Sequence, residues 1–281
     1  TVITCVVPQV PVFGSVTQPV TGYSAGWSTT DGHIVTGQNS LNLIVDKTGT
    51  YTLTVQNTQN GCTASTQAIV SQNITPPVAQ AAAPNQITCA NPGVALSGAG
   101  SSTGPGVTYN WSGGVITNGQ NTLTPTATTT GQYTLTVTDQ SNGCSSTATT
   151  TLTANTTPPT VAIAAPALLT CLQNTVTLNA GGSSQGAGFT PAWTATTGQI
   201  VSGQNTLNPV VGQAGNYVLT IQNTQNGCSA SAQTSVVQNI TPPGADAGNA
   251  AELHCNQPEV ALQGSSPTPG NMEFAWTSTD G

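Results

Sequence analysis

The chain has 281 residues, of which one is Lys or Arg and eight are Asp or Glu, for a formal net charge of −7. Charged residues make up 3% of it, against roughly 25% in an ordinary soluble domain. Clustered cations that neutralise nucleic-acid phosphates are therefore excluded, since Lys47 stands alone. No apolar run reaches the roughly 18 residues of a membrane helix, and the longest one is broken by Pro166.

Along the chain, cysteines at 5, 62, 89, 144, 171, 228 and 255 and tryptophans at 27, 111, 193 and 276 recur at near-constant intervals and mark a tandem repeat. Each repeat opens on a Cys followed by a short apolar pair: Val10 and Val12, Val94 and Leu96, Val176 and Leu178, Val260 and Leu262. The Trp follows that Cys at a spacing that shifts by no more than one position between repeats. Gly-Gln-Asn follows at 37–39, 119–121 and 203–205, and then a Gly-x-Tyr segment starts at Gly49, Gly131 and Gly215. Asn-Gly-Cys ends at Cys62, Cys144 and Cys228, and Thr-Pro-Pro closes the repeat at 75–77, 157–159 and 241–243. The expected domains are 1–77, 78–159, 160–243 and the start of a fourth at 244–281. Both ends fall inside a repeat, so the chain reads as a window on a longer repeat protein. Cys255 is unpaired on this reading because its repeat is unfinished.

The apolar period is two, not 3.6. Tyr51, Leu53 and Val55 alternate with Thr and Gln, Tyr133, Leu135 and Val137 alternate with Thr, and Tyr217, Leu219 and Ile221 keep the same spacing of two. These segments predict strands, and the Gly, Pro and Asn clusters between them predict an all-β sandwich in each repeat. Asn60-Gly61, Asn142-Gly143 and Asn226-Gly227 predict type I′ hairpin turns, which need positive φ at both central residues. Trp27, Trp111, Trp193 and Trp276 are expected to anchor the cores.

Disulfides are expected within repeats: Cys5–Cys62, Cys89–Cys144 and Cys171–Cys228, tying the start of each repeat to its last hairpin. A small domain with few aromatics gains from such a staple, and disulfides imply an oxidising compartment. The absence of CxxC and of a recurring His argues against metal binding.

The order Cys, Val-x-Leu, Trp, Gly-x-Tyr-x-Leu-Thr, Asn-Gly-Cys, Thr-Pro-Pro resembles the Ig-like, PKD-like tandem repeats of giant secreted Bacteroidota proteins. The resemblance implies an extracellular surface adhesin or fibre, exported and non-catalytic. The acidic residues that many relatives carry near the repeat start are missing except for Asp246.

The remaining candidates are weighed residue by residue. His33 and His254 have no His counterpart in other repeats, so no acid–base pair recurs and no enzyme is expected. Asp31, Asp46, Asp246 and Glu252 do not recur as a calcium cage, which needs six to eight oxygens; no cofactor and no metal is expected. Gln38, Asn39, Gln120, Asn121, Gln204 and Asn205 are expected in turns, or else as polar tips contacting glycans or a neighbouring chain. Asn73, Asn110, Asn155 and Asn239 lie in Asn-x-Ser/Thr sequons, with strand-end polar residues as the plainer reading. Thr-Pro-Pro predicts short, semi-rigid joints.

With little charge to keep chains apart, the repeats are expected to associate with copies of themselves or with neighbouring fibre chains. The functional expectation is a structural segment of an extracellular cell-surface fibre or adhesin stalk, without membrane insertion in this segment. The alternative is an array of polysaccharide-binding modules, for which Phe13 is the exposed aromatic candidate.

Overall fold

A computed structural model describes residues 1–17 and 21–279. The first repeat contains β1 (Val2–Thr4), β2 (Val10–Phe13), β3 (Tyr23–Thr29), β4 (Ile34–Thr36), β5 (Asn42–Val45), β6 (Gly49–Asn57) and β7 (Thr63–Asn73). The second contains β8 (Ile87–Thr88), β9 (Val94–Ala95), β10 (Val107–Gly113), β11 (Ile116–Asn118), β12 (Thr126–Ala127), β13 (Gly131–Asp139), β14 (Cys144–Leu152) and β15 (Ala154–Asn155). The third contains β16 (Leu169–Thr170), β17 (Val176–Thr177), β18 (Phe189–Ala195), β19 (Ile200–Ser202), β20 (Val210–Val211), β21 (Gly215–Asn223), β22 (Ser229–Val236) and β23 (Gln238–Asn239). Among the described residues every element is a strand, and the chain is an all-β, tandem Ig-like protein.

One topology recurs. In the first repeat a sheet of order β1-β7-β6-β3 faces a sheet of order β2-β5-β4. The second repeats this as β10-β13-β14 with β11-β12-β9, and the third as β18-β21-β22 with β17-β20-β19. The alternating side chains of the Tyr strand turn Tyr51 and Leu53 inward while Thr54 stays exposed. Trp27 stands opposite Leu53, Trp111 opposite Leu135, and Trp193 opposite Leu219. Each repeat thus has its own core, built around Trp27 and Tyr51, Trp111 and Tyr133, or Trp193 and Tyr217.

The Tyr hydroxyls satisfy the buried rings' polar ends in one way. Tyr51 Oη donates to Lys47 O at 2.6 Å, Tyr133 Oη to Thr129 O at 2.7 Å and Tyr217 Oη to Gln213 O at 2.5 Å. A Tyr that reaches back four residues to the backbone where two strands meet is the corner device of Ig-type sandwiches.

Two details differ from the sequence expectation. Trp276 is 56% exposed, and none of residues 244–279 is buried. In the other repeats the Trp strand is covered by pairing with a Gly-x-Tyr strand, and the 244–281 sequence contains no such segment. The hairpin turns are also not type I′: no residue other than Gly has positive φ among those described. The loop has four residues, in which Gly61 N donates to Asn57 O and Gly143 N to Asp139 O, and only the Gly is left-handed.

The chain divides into two compact units, Thr1–Thr157 with Asn226–Cys228, and Pro158–Gln225 with Ser229–Gly281. The short turn Asn226–Cys228 belongs to the first unit by its contacts, although its flanking strands belong to the second. The reason lies in the cysteines.

Candidate functional site

The disulfides are Cys5–Cys144 and Cys89–Cys228, not the within-repeat pairs expected from the sequence. Cys62, Cys171 and Cys255 are free and exposed. The first Cys of one repeat is bonded to the last Cys of the next, across 139 residues in both cases.

The cause is the parallel strand β1. Val2 pairs with Ser71 and Thr4 with Asn73, so β1 leaves Cys5 beside the far end of β7. Cys62 precedes the first residue of β7, which is 11 residues long. At ~3.3 Å per residue the strand separates the two positions by about 35 Å. A disulfide needs Cα atoms within roughly 7 Å, and the two bonds formed have Cα–Cα separations of 5.1 and 5.0 Å. The parallel pairs β15–β8 and β16–β23 repeat the arrangement.

Around each bond stands the same polar joint. Asn142 Nδ2 donates to Asn73 Oδ1 at 3.0 Å and to Thr75 O at 3.0 Å. Asn226 Nδ2 donates to Asn155 Oδ1 at 3.1 Å and to Thr157 O at 3.0 Å. The amide oxygens of the same two residues accept from Cys144 N and Cys228 N, both at 2.9 Å, which closes an Asx turn over the Cys. Cys5 N donates to Asn142 O at 3.1 Å, and Ala90 N to Asn226 O at 3.2 Å. Asn142 and Asn226 are buried, at 2% and 1% exposure.

Glycine is required at the centre of this joint. Gly143 has φ 68° and Gly227 φ 72°, both left-handed. A Cβ at Gly143 would collide with Val6, and one at Gly227 would lie 2.6 Å from the Ala90 Cβ.

Thus two of the four sequon residues, Asn73 and Asn155, serve as acceptors inside a joint. Asn239, at the same place in the third repeat, is exposed and has no such partner among the described residues, and Asn110 is exposed on β10. The sequence contained a signal for the true pairing: the within-repeat Cys spacings vary from one repeat to the next, whereas the cross-repeat spacing is constant.

The Gly-Gln-Asn triplets form turns. Ser40, Thr122 and Thr206 each donate a backbone N–H to the carbonyl of Gly37, Gly119 and Gly203, whose φ values are 86°, 71° and 74°. Trp27, Trp111 and Trp193 donate their backbone N–H to the carbonyls of Gln38, Gln120 and Gln204. The indole Nε1 of Trp111 donates to Thr122 O and that of Trp193 to Thr206 O. Trp27 Nε1 has no partner among the described residues. The triplet therefore latches the Trp strand. Its Asn residues stay exposed at 39, 121 and 205, while Gln38, Gln120 and Gln204 follow the left-handed Gly at the turn. Asn39 and Asn205 border shallow clefts lined by Tyr23 and by Phe189 respectively.

Carboxylates do not gather among the described residues. Asp31 Oδ1 accepts from Thr50 N at 3.0 Å, and that backbone donor holds the carboxyl below its usual range. Thr197 Oγ1 fills the same role for Asn216 N in the third repeat. His33 Nδ1 lies 2.6 Å from Asp46 Oδ1, exposed. No three His, Cys, Asp or Glu side chains converge among the described residues.

No family model matches the sequence, and neither does any curated protein. In backbone, the chain is similar to extracellular domains 3–5 of Drosophila OTK, with 14% identity, a TM-score of 0.29, and coverage of 85% of this chain and 94% of that one. It is also similar to three N-terminal domains of the bacteriophage RB49 outer capsid protein Hoc, at 13% identity and a TM-score of 0.32 over 82% of this chain and 92% of that one. A third likeness is to the N-terminal eight Ig domains of Down Syndrome Cell Adhesion Molecule, at 16% identity and a TM-score of 0.33 over 85% of this chain and 35% of that one.

Proposed function

We propose that this chain is a non-catalytic structural segment of an extracellular surface fibre or adhesin stalk, in which successive repeats are stapled to each other covalently. The observation that carries this reading is the Cys5–Cys144 bond with its Asn142 clamp. A joint held by the Thr-Pro-Pro linker, a disulfide and a buried amide transmits force and resists bending. Such bonds persist in oxidising, extracytoplasmic surroundings. The motif order supports a likeness to the Ig-like, PKD-like repeats of secreted Bacteroidota surface proteins. Electron microscopy of native surface material, without reductant, tests the reading. Beaded filaments of about 30–40 Å spacing, as strands of roughly 9–11 residues laid along the fibre would give, are expected. Purely intracellular labelling by an antibody against the repeats would overturn it.

A second reading, polysaccharide binding, draws on the clefts beside Asn39 and Asn205, which share an aromatic at one position, Tyr23 and Phe189. Co-sedimentation with insoluble polysaccharides tests it: Tyr23→Ala with Phe189→Ala should abolish any binding, and binding that survives both changes rules out these clefts.

A further inference from the structure

Each staple has one buried and one exposed end. Cys144 and Cys228 are 1% and 2% exposed, whereas Cys5 and Cys89, to which they are bonded, are exposed. Cys89 and Cys144 both belong to the second repeat, which is flanked by another repeat on each side in the chain. The asymmetry therefore belongs to the joint and not to a chain end. The buried sulfur sits on the Asn-Gly-Cys turn, and the Asn142 or Asn226 side chain that grips the neighbouring strand end is buried with it.

The exposed sulfur sits on a loop that holds its shape by itself. The Thr before each of these cysteines latches the loop from both sides. Thr4 N donates to Val7 O, Thr88 N to Asn91 O and Thr170 N to Gln173 O, each at 3.0 Å. In return Val7 N donates to Thr4 Oγ1 at 3.1 Å, Asn91 N to Thr88 Oγ1 at 3.0 Å and Gln173 N to Thr170 Oγ1 at 3.0 Å. Cys171 is a free thiol, yet its loop matches the two bonded ones, and its Sγ lies 3.8 Å from Ile240 O, as Cys5 Sγ lies 3.9 Å from Ile74 O and Cys89 Sγ 4.0 Å from Thr156 O. The loop thus presents its sulfur in one place whether or not that sulfur is bonded.

We propose that Cys5 and Cys89 are the entry sulfurs of the joints, where an external cysteine-type thiol forms a mixed disulfide, and that Cys144 and Cys228 are the resolving thiols. This goes beyond the stalk reading and needs only the two cross-repeat bonds. In opening, the external thiolate attacks Cys5 Sγ, the Cys5–Cys144 bond breaks, and the Cys144 sulfur leaves with the electron pair and takes up a proton. A second external thiol then attacks the first one's sulfur, which frees the Cys5 thiol and releases an external disulfide. Assembly runs the same path backwards. The Cys5 thiol loses its proton and displaces one thiol from an external disulfide, and the docking turn brings in Cys144, which loses its proton and displaces the other. The protein pair gives up two protons and two electrons, and the external disulfide is reduced to two thiols. Access sets the choice of sulfur, because attack on Cys144 or Cys228 requires the joint to open first. The buried sulfur is also a poorly solvated leaving group, so exchange is slow even by the exposed route.

The test uses the full oxidised chain. The free thiols Cys62, Cys171 and Cys255 are first blocked with a maleimide. Reduced glutathione is then added for a series of short times, exchange is stopped with acid, and newly released thiols are capped with an isotopically distinct maleimide. Pepsin digestion at acid pH and mass spectrometry locate both labels. The expected result is glutathione on Cys5 and Cys89 with the new maleimide on Cys144 and Cys228, in at least about tenfold excess over the reverse assignment at the earliest times. In concentrated urea, where all four sulfurs meet solvent, the excess should fall below about twofold. Equal adducts on the two ends, adducts mainly on Cys144 and Cys228, bonds that open with no mixed disulfide, or a preference unchanged in urea would each overturn the proposal. Cys5–Cys144 and Cys89–Cys228 peptides in the digest of the untreated chain keep the stapled-stalk reading in place even then.

Discussion

Asn142 Nδ2 lies 3.0 Å from Asn73 Oδ1, across 69 residues of sequence and across the boundary between two repeats. The same side chain accepts from Cys144 N, so one buried amide shapes its own hairpin and grips its neighbour. Asn142→Ala leaves the Cys144 N–H and two acceptors without their partner. We expect a loss of about 2–3 kcal/mol in equilibrium unfolding, from desolvated groups left unpaired. The undocked equivalent, Asn60→Ala, should cost less than ~1 kcal/mol. Equal losses at the two positions would show that the clamp contributes nothing.

The glycine next to it separates backbone strain from contact. Ala at either Gly61 or Gly143 must adopt a left-handed conformation, at roughly 1–2 kcal/mol. Only at Gly143 does the added methyl meet Val6. Gly143→Ala should therefore destabilise more than Gly61→Ala by at least ~1 kcal/mol, and should slow formation of the Cys5–Cys144 bond during oxidative refolding.

The tryptophans divide by environment. Trp111→Ala removes a ring at 0% exposure and the Nε1 bond to Thr122 O, and about 3–5 kcal/mol should be lost. Trp276→Ala, at 56% exposure, should change stability by less than ~0.5 kcal/mol. Denaturant midpoints of the two variants check this directly.

How far these features were legible in the sequence follows from their range. The Tyr51-Leu53 alternation and the Trp register specify local burial, and the strands follow from them. The pairing of Thr4 with Asn73 depends on how two distant segments meet, and a parallel partner three residues long has no periodicity of its own. Without that pairing the Cys5 end of the repeat is misplaced, and the within-repeat disulfide looks natural. The Asn-Gly dipeptide signalled a hairpin, but its commonest meaning, a two-residue turn, hid the amide's second use across the joint. The Trp276 expectation transferred a core from the other repeats to a segment with no covering strand.

Acid should act on the first repeat through Asp31. Its carboxyl is held below the usual range by the Thr50 N–H, so its folded pKa is depressed. That contribution is present above the unfolded value and is lost as pH falls through the folded one, a window that opens near the ordinary carboxyl value of 3.8 and extends below it. Thr197 makes the equivalent bond to Asn216 N without a titrating group. Amide-exchange protection at Thr50 should fall below that pH while protection at Asn216 holds; Asp31→Asn should remove the difference.

The two staples also set how far the chain can be drawn out once its sandwiches open. Backbone alone joins Cys5 to Cys228 through most of the chain. Through both bonds, the shortest covalent route is the much shorter stretch between Cys89 and Cys144. At ~3.4 Å per extended residue the reach drops from about 760 Å to about 190 Å. Between Cys5 and Cys228 the oxidised chain under tension is thus a short tether with a hard stop, and the reduced one reaches about four times as far before it goes taut.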